Sequence, residues 1–202
     1  MAGDDGRQGA PGQARPVPGT GTETDGVVIR AASLTEAGAV ARIYIDCWHS
    51  GYHGILPAAF AERLDLADQT EIWHAAIRTP GNATLVAVSA TGELVGFVCG
   101  GPERSGSTAF FAEIYGLYVL PEHRERAVGR RLFLGFCRQL TAIGLRSLLV
   151  RVLEANPICG FYERLGASEQ ENRLVRVAGR SLNEVAYGWR DISPATRKSD
   201  RA

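Results

Sequence analysis

An α/β fold, a mixed sheet with helices on both faces, is what this sequence predicts, and three observations predict it. Two hydrophobic periods, of about 2 and about 3.6 residues, alternate along the chain. They run in the order β-α-α-β-β-β-α-β-α-β-β. Residues 110–120 are nearly all apolar and stop at Pro121, as a strand buried on both faces in mid-sheet does. Turn signals at Thr91-Gly92 and Ala178-Gly179-Arg180 place one hairpin before that strand and another at the end.

The elements follow in order. Val27 and Ile29 alternate in a short first strand. Ser33-x-x-Glu36 is a capping box, and Ala37, Val40, Ala41, Tyr44, Ile45 and Trp48 then keep helical spacing until Gly51 and Gly54. Pro57 opens a short helix with Phe60 and Leu64 on one face. Asp68-x-x-Glu71 caps a further helix carrying Ile72, Trp73, Ala76 and Ile77, stopped at Pro80-Gly81. Residues 84–88 and 94–99 form the first hairpin, and residues 110–120 the central strand. Leu132, Phe133, Phe136, Cys137 and Leu140 share one helical face before Gly144. Residues 147–153 are an apolar strand, residues 157–165 a short helix ended by Gly166, and residues 173–177 and 185–189 the last hairpin.

Composition sets limits. The 202 residues are 45% hydrophobic and 22% charged, which fits one globular domain. Residues 1–26 hold seven Gly and three Pro, with Val17 their only branched aliphatic, and read as a disordered tail. Residues 193–202 read as a second flexible tail, which leaves a body of residues 27–192. Lys+Arg and Asp+Glu both number 22, which excludes bulk-charge attachment to nucleic acid or to an anionic membrane. No apolar run approaches the ~20 residues of a membrane span, and no secretory h-region opens the chain. Cys47, Cys99, Cys137 and Cys159 are widely spaced in apolar stretches, as reduced thiols of a cytoplasmic protein are. His49 and His53 have the spacing of two metal ligands on a helix, but no carboxylate completes a set, so surface histidines and no metal are expected. There is no Walker motif, no G-x-G-x-x-G and no Gly-x-Ser-x-Gly elbow.

The informative segment runs from Glu113 to Leu132. A strand stops at a proline, a basic turn follows, and a helix begins at small residues. Free N–H groups and the helix dipole bind phosphate at such a start. Ala127 and Gly129 are small enough to let a diphosphate approach, and Arg124, Arg126, Arg130 and Arg131 carry charge. The plainer alternative is a solvated basic turn.

Arg124-Glu125-Arg126-Ala127-Val128-Gly129 resembles the Arg/Gln-x-x-Gly-x-Gly/Ala motif of the GCN5-related N-acetyltransferase (GNAT) family, with Ala127 at the first motif glycine and Glu125 where many members carry glycine. Asn156-Pro157-Ile158-Cys159-Gly160-Phe161-Tyr162-Glu163-Arg164-Leu165-Gly166-Ala167 resembles that family's Asn-x-x-Ala-x-x-Phe-Tyr-x-x-x-Gly-Phe. Trp48-x-x-x-Tyr52-x-Gly54-Ile55-Leu56-Pro57 is similar to the helix-to-helix segment of a bacterial subgroup. The element order over residues 27–192 fits the family as well.

The resemblance implies a GNAT-like fold and an enzyme that moves an acetyl group from acetyl-CoA to an amine by direct attack. It implies that pantetheine pairs with the backbone of Leu117, Tyr118 and Val119. The diphosphate then sits on the N–H groups from Arg124 through Arg126, Ala127, Val128 and Gly129 to Arg130. Asn156 matches the pantetheine contact, with a helix N-cap as its other reading. Tyr162 matches the general acid that protonates the leaving thiolate, with a packed aromatic beside Phe161 as the alternative. Glu113 is the candidate base, because it is the only carboxylate in the apolar run, where a carboxylate must be paired or face a cleft. A structural ion pair with an arginine is the competing reading.

Trp48, Tyr52 and Trp73 border the acceptor cleft by resemblance, with Tyr115 beside it, and aromatic faces bind cationic amines. Plain core packing is the alternative. The expected partner is an amine-bearing small molecule or peptide; a homodimer is allowed. A GNAT-fold protein that holds acyl-CoA without turnover is the rival function, and transfer of a longer acyl group a third.

Overall fold

The computed structural model describes residues 26–52, 54–57, 62–124, 126–177 and 179–194. Both tails fall almost wholly outside them. So does most of the short helix expected after Pro57. Strand β1 (Val28–Ala31) opens a seven-stranded sheet and pairs antiparallel with β2 (Ala83–Val88). A 3₁₀ turn at Leu34–Glu36 leads into α1 (Ala37–Gly51), and the Ser33 N–H donates to Glu36 Oε2 at 2.8 Å, one half of the expected capping box. Helix α2 (Leu66–Arg78) starts earlier than the sequence suggests. Its N-cap is Asp65, whose Oδ1 accepts from the N–H groups of Ala67 at 2.8 Å and Asp68 at 3.0 Å, so Asp68 lies in the first turn.

Strands β2 and β3 (Leu94–Pro102) form the predicted hairpin, with Gly92 at φ +86° in the turn. The central strand β4 (Ala112–Val119) is antiparallel to β3 and parallel to β5 (Leu148–Leu153). Helix α3 (Val128–Ala142) connects β4 to β5, and α4 (Cys159–Arg164) follows β5. Strands β6 (Ser168–Val177) and β7 (Arg180–Trp189) are both longer than the sequence suggests. The sheet order is β1-β2-β3-β4-β5-β7-β6, so the last hairpin docks with its second strand inward.

The apolar spacing now has its reason. Leu132, Phe133, Phe136, Cys137 and Leu140 of α3 bury against Val98, Ile114, Leu148 and Val150 of the sheet. Val40, Ala41, Ile43 and Cys47 of α1 pack with Trp73 of α2 on the other face, against Val86, Phe97 and Cys99. Each fully buried Phe or Leu contributes about 1.5–3 kcal/mol. The two layers hold the central strands rigidly from both sides. No helix among the described residues is long and apolar enough to cross a membrane.

Two irregularities of β4 position the site. Cys99 pairs with Gly116 and Gly100 with Ile114, which leaves Tyr115 as the extra residue of a β-bulge. Before it Ala112 and Ile114 face α3; after it Leu117 and Val119 do. Gly100 permits the bulge, because a Cβ there would collide with the Glu113 carbonyl oxygen. The pairing of β4 with β5 ends at Ile114↔Val150, so from Tyr115 onward β4 has no β5 partner and the two strands part.

Candidate active site

The parted strands and the start of α3 lie at the same end of the sheet. Ala127 is the N-cap of α3 and takes φ +57°, the only non-glycine positive φ among the described residues. That is the left-handed conformation that favours glycine, and it explains why a glycine stands there in the motif. Arg131 donates its N–H to the Ala127 carbonyl at 2.9 Å, the first bond of the helix. The N–H groups of Val128, Gly129 and Arg130 precede that bond and face the turn. Gly129 lies close under Phe161 of α4, where a Cβ would meet the ring at 3.5 Å.

The four arginines of this segment divide. Arg126 and Arg130 are exposed at the turn. Arg124 folds back: its Nε donates to the Val119 carbonyl at 3.1 Å and its Nη2 to Ser50 Oγ at 3.3 Å, tying the turn to the end of β4 and to α1. Arg131 Nη2 donates to the Val27 carbonyl at 2.7 Å. These two side chains brace the turn while keeping their charge beside it. Glu125 lies outside the described residues.

A ladder of rings runs along α1 at spacing i, i+4, i+8. Tyr44 meets Trp48 at 5.7 Å between centroids, and Trp48 stacks on Tyr52 at 4.0 Å and 13°. Tyr44 also meets Tyr118 of β4 edge-on at 5.2 Å. At the top of the ladder Tyr52 reaches the loop that leads into α4. Burial pushes its hydroxyl up, while the Asn156 side chain and then the Tyr118 hydroxyl pull it back by hydrogen bonding. Tyr162 is only 3% exposed. Burial, then Tyr52 and Cys159, push its hydroxyl well above the ordinary tyrosine range, so it stays protonated. Burial does the same to Tyr118, reinforced by Tyr52 and Tyr44. The structure therefore gathers Trp48 of α1, Tyr52 at its C-cap, Tyr118 of β4, Asn156 of the loop after β5 and Tyr162 of α4 around the parted strands. Trp73 is buried against Tyr44 and Phe97 and belongs to the core.

Asn156 acts as a cap: its Oδ1 accepts from the Ile158 N–H at 3.1 Å, and its carbonyl from the Cys159 N–H at 3.2 Å. The amide nitrogen is left to face Tyr52.

Glu113 and Tyr115 form a second group with Arg104 of the β3–β4 loop. Glu113 is 3% exposed. Arg104 Nη2 donates to its Oε1 at 2.7 Å, while Arg104 Nε and the Arg104 N–H donate to Oε2, each at 3.1 Å. This is the ion pair that the sequence left as the competing reading. The guanidinium also lies 3.8 Å over the Tyr115 ring, whose hydroxyl donates to the Pro102 carbonyl at 2.7 Å. The cation that an aromatic Tyr115 face attracts is, here, the chain's own Arg104.

Nothing in the sequence marks Arg104 as this partner, since it sits nine residues away in an irregular loop. Arg151 is different. It is the one charge inside the apolar strand β5, the same signal that marks Glu113 in β4. His49 is exposed, His53 lies outside the described residues, and no group of three or more His, Cys, Asp or Glu among the described residues could hold a metal. Cys47, Cys99 and Cys137 are buried free thiols, and Cys159 is partly exposed.

Residues 37–167 match the acetyltransferase (GNAT) family. The uncharacterized N-acetyltransferase YuaI of Bacillus subtilis is 29% identical over 167 residues, covering 83% of this chain and 95% of its own. The fold is similar to that of the Salmonella typhimurium acetyltransferase yncA, solved with its cofactor acetyl-CoA, at a TM-score of 0.63 and 20% identity over 81% of this chain and 93% of that one. It is also similar to that of the PaiA N-acetyltransferase of Thermoplasma acidophilum, solved with coenzyme A, at a TM-score of 0.59 and 16% identity over 79% and 97% of the two chains. A helix start beside parted strands, two motifs in order and a family match across most of the folded body lead to one conclusion: the chain belongs to the GNAT family of acetyltransferases.

Proposed function

We propose that the protein is an acetyl-CoA-dependent N-acetyltransferase acting on a small amine where β4 and β5 part. The observation that carries the reading is one juxtaposition. The β4 backbone loses its β5 partner after Ile114, beside the N–H groups that begin α3 and have no partner inside the helix. The residues present fit acetyl-CoA. Val128, Gly129 and Arg130 offer N–H groups and the helix dipole to a diphosphate, and exposed Arg126 and Arg130 add charge. Leu117, Tyr118 and Val119 lie in the stretch of β4 that is open to pantetheine, with the Asn156 amide nearby. That similar structures hold CoA or acetyl-CoA supports the fit.

Bound acetyl-CoA supplies the thioester that an amine attacks, with the sulfur leaving. The chain's own residues manage the protons. Tyr162 holds its proton at Oη across the physiological range, because burial disfavours the phenolate, and so serves as the acid for the leaving sulfur. Tyr52 and Trp48 present aromatic faces to the amine. Glu113 accepts the amine proton, directly or through a water, when Arg104 loosens its hold. A second reading for this one residue is favoured by its three bonds to Arg104: Glu113 as a structural anchor of the β3–β4 loop.

The test is thermal protection by acetyl-CoA and by CoA. A ligand at ~100 times its dissociation constant adds about 2.7 kcal/mol. In a domain of this size that is a Tm rise of about 5–10 °C. No rise at millimolar concentration removes the reading.

A further inference from the structure

On the sheet face opposite α3, a cavity of about 360 Å³ lies between the β3–β4 loop and strands β5, β6 and β7. Its apolar wall is Phe110, Leu149 and Ala186; its polar wall includes Ser105, Ser107 and Arg151. Val150 and Val152 point into the α3 core, so Arg151 between them points the other way. Val150 is the last β5 residue paired with β4, which places Arg151 where the strands part.

Arg151 is only 10% exposed, yet it lacks the partners that a structural buried arginine has. Its Nη2 donates to Ser105 Oγ at 2.9 Å and to Glu171 Oε2 at 3.3 Å. Its Nε and Nη1 are shielded from solvent and make no hydrogen bond, with Glu184 Oε2 4.0 Å from Nη1. Glu184 is shared with Arg173 at 2.6 Å, and Glu171 is 57% exposed. A guanidinium held by one hydroxyl, one exposed carboxylate and a long contact to a Glu184 that Arg173 holds more closely is poised for exchange. A ligand carboxylate can replace Glu171 at small cost, because an exposed ion pair contributes little. The guanidinium fork then gains a partner matched to its geometry.

We infer that Arg151 recognises a carboxylate on the acceptor, so that the amine acetylated here is amino-acid-like. The inference rests on the acetyltransferase reading and names the substrate class of that site. The carbon skeleton lies on Phe110, Leu149 and Ala186, and the hydroxyls of Ser105 and Ser107 stand beside the carboxylate.

The experiment compares each proteinogenic amino acid with its α-carboxamide, on the full chain with CoA bound, by thermal shift. It is repeated as thiol release with acetyl-CoA. The acid of a matched pair should raise Tm, and its kcat/KM should exceed that of the amide by about 10-fold or more. Arg151→Gln should raise KM for the acid about 10–100-fold with kcat nearly unchanged, and leave the amide unaffected. Arg151→Lys should recover part of the loss and guards against a Gln variant that folds poorly, as does the Tm rise on adding CoA. Acids that neither raise Tm nor outrun their amides overturn the inference, as does an Arg151→Gln protein that loses acid and amide equally. No thiol release from any amine and no CoA protection would instead overturn the acetyltransferase reading, while the thermal shift by acids still decides the role of Arg151.

Discussion

Ala127→Gly is a substitution whose effect can be worked from the backbone. Ala127 holds φ +57° at the N-cap of α3. The left-handed conformation costs an L-residue about 1–2 kcal/mol, and glycine escapes that cost. Glycine also makes the unfolded chain more flexible, which takes back about 0.4–1 kcal/mol. The net gain is about 0.5–1 kcal/mol, or about 1–4 °C in Tm for a domain of this size. Ala127→Val adds a branch at Cβ in the same conformation and should lose about 1 kcal/mol or more. Calorimetry or a fluorescence melt of the three proteins reads both signs. CoA affinity of the glycine variant should hold or rise, because the N–H remains and the methyl group is gone. An Ala127→Gly protein with a lower Tm, or an Ala127→Val protein as stable as the parent, would refute the claim that this turn is strained.

Three further outcomes follow from the geometry. Tyr162→Phe removes a buried hydroxyl and keeps the ring, so Tm and CoA affinity should stay close to the parent while kcat falls about 10²-fold or more. Glu113→Gln should lower stability by about 1–3 kcal/mol, since it puts an amide against the Arg104 guanidinium. A base role adds a rate loss concentrated at acidic and neutral pH, and a parental pH–rate profile leaves only the structural role. The third concerns acid stability. Hydrogen bonds from Arg30 hold the Glu36 carboxyl down to about 2 from its ordinary 4.5. A depressed carboxyl stabilises the fold above pH 4.5 and loses that effect as pH falls toward 2. The Tm gap between the parent and Glu36→Gln should therefore shrink across that window, and a constant gap contradicts the assignment.

Much of this architecture is local and so was legible in the sequence. Gly92, Gly144 and Gly166 mark turns by their backbone freedom, and the apolar stripe of α3 reports the face it buries. The small residues at 127–129 begin α3, and the segment at 156–167 holds α4, as their local spacing predicts. What stayed hidden depends on long-range register. The bulge at Tyr115 arises from how β3 and β4 pair, and the Gly100 that permits it carries no periodic signal. Arg124 has the composition of a phosphate ligand but bonds to Val119 and Ser50, contacts that only the folded turn creates. The Arg104–Glu113 pair joins a loop to a strand with no periodic signature. Arg151 was legible in principle, as a lone charge in a buried strand, but its role depends on the cavity it lines.

The central claim is that this chain moves an acetyl group to an amine, and release of free thiol from acetyl-CoA tests it most directly. The parent protein should release thiol only when an acceptor amine is present, with one N-acetylated product per thiol, and Tyr162→Phe should lose about 10²-fold of that rate. Acetyl-CoA that raises Tm, yet yields no amine-dependent thiol with any amine tried, would contradict it and leave a protein that binds acyl-CoA without turnover.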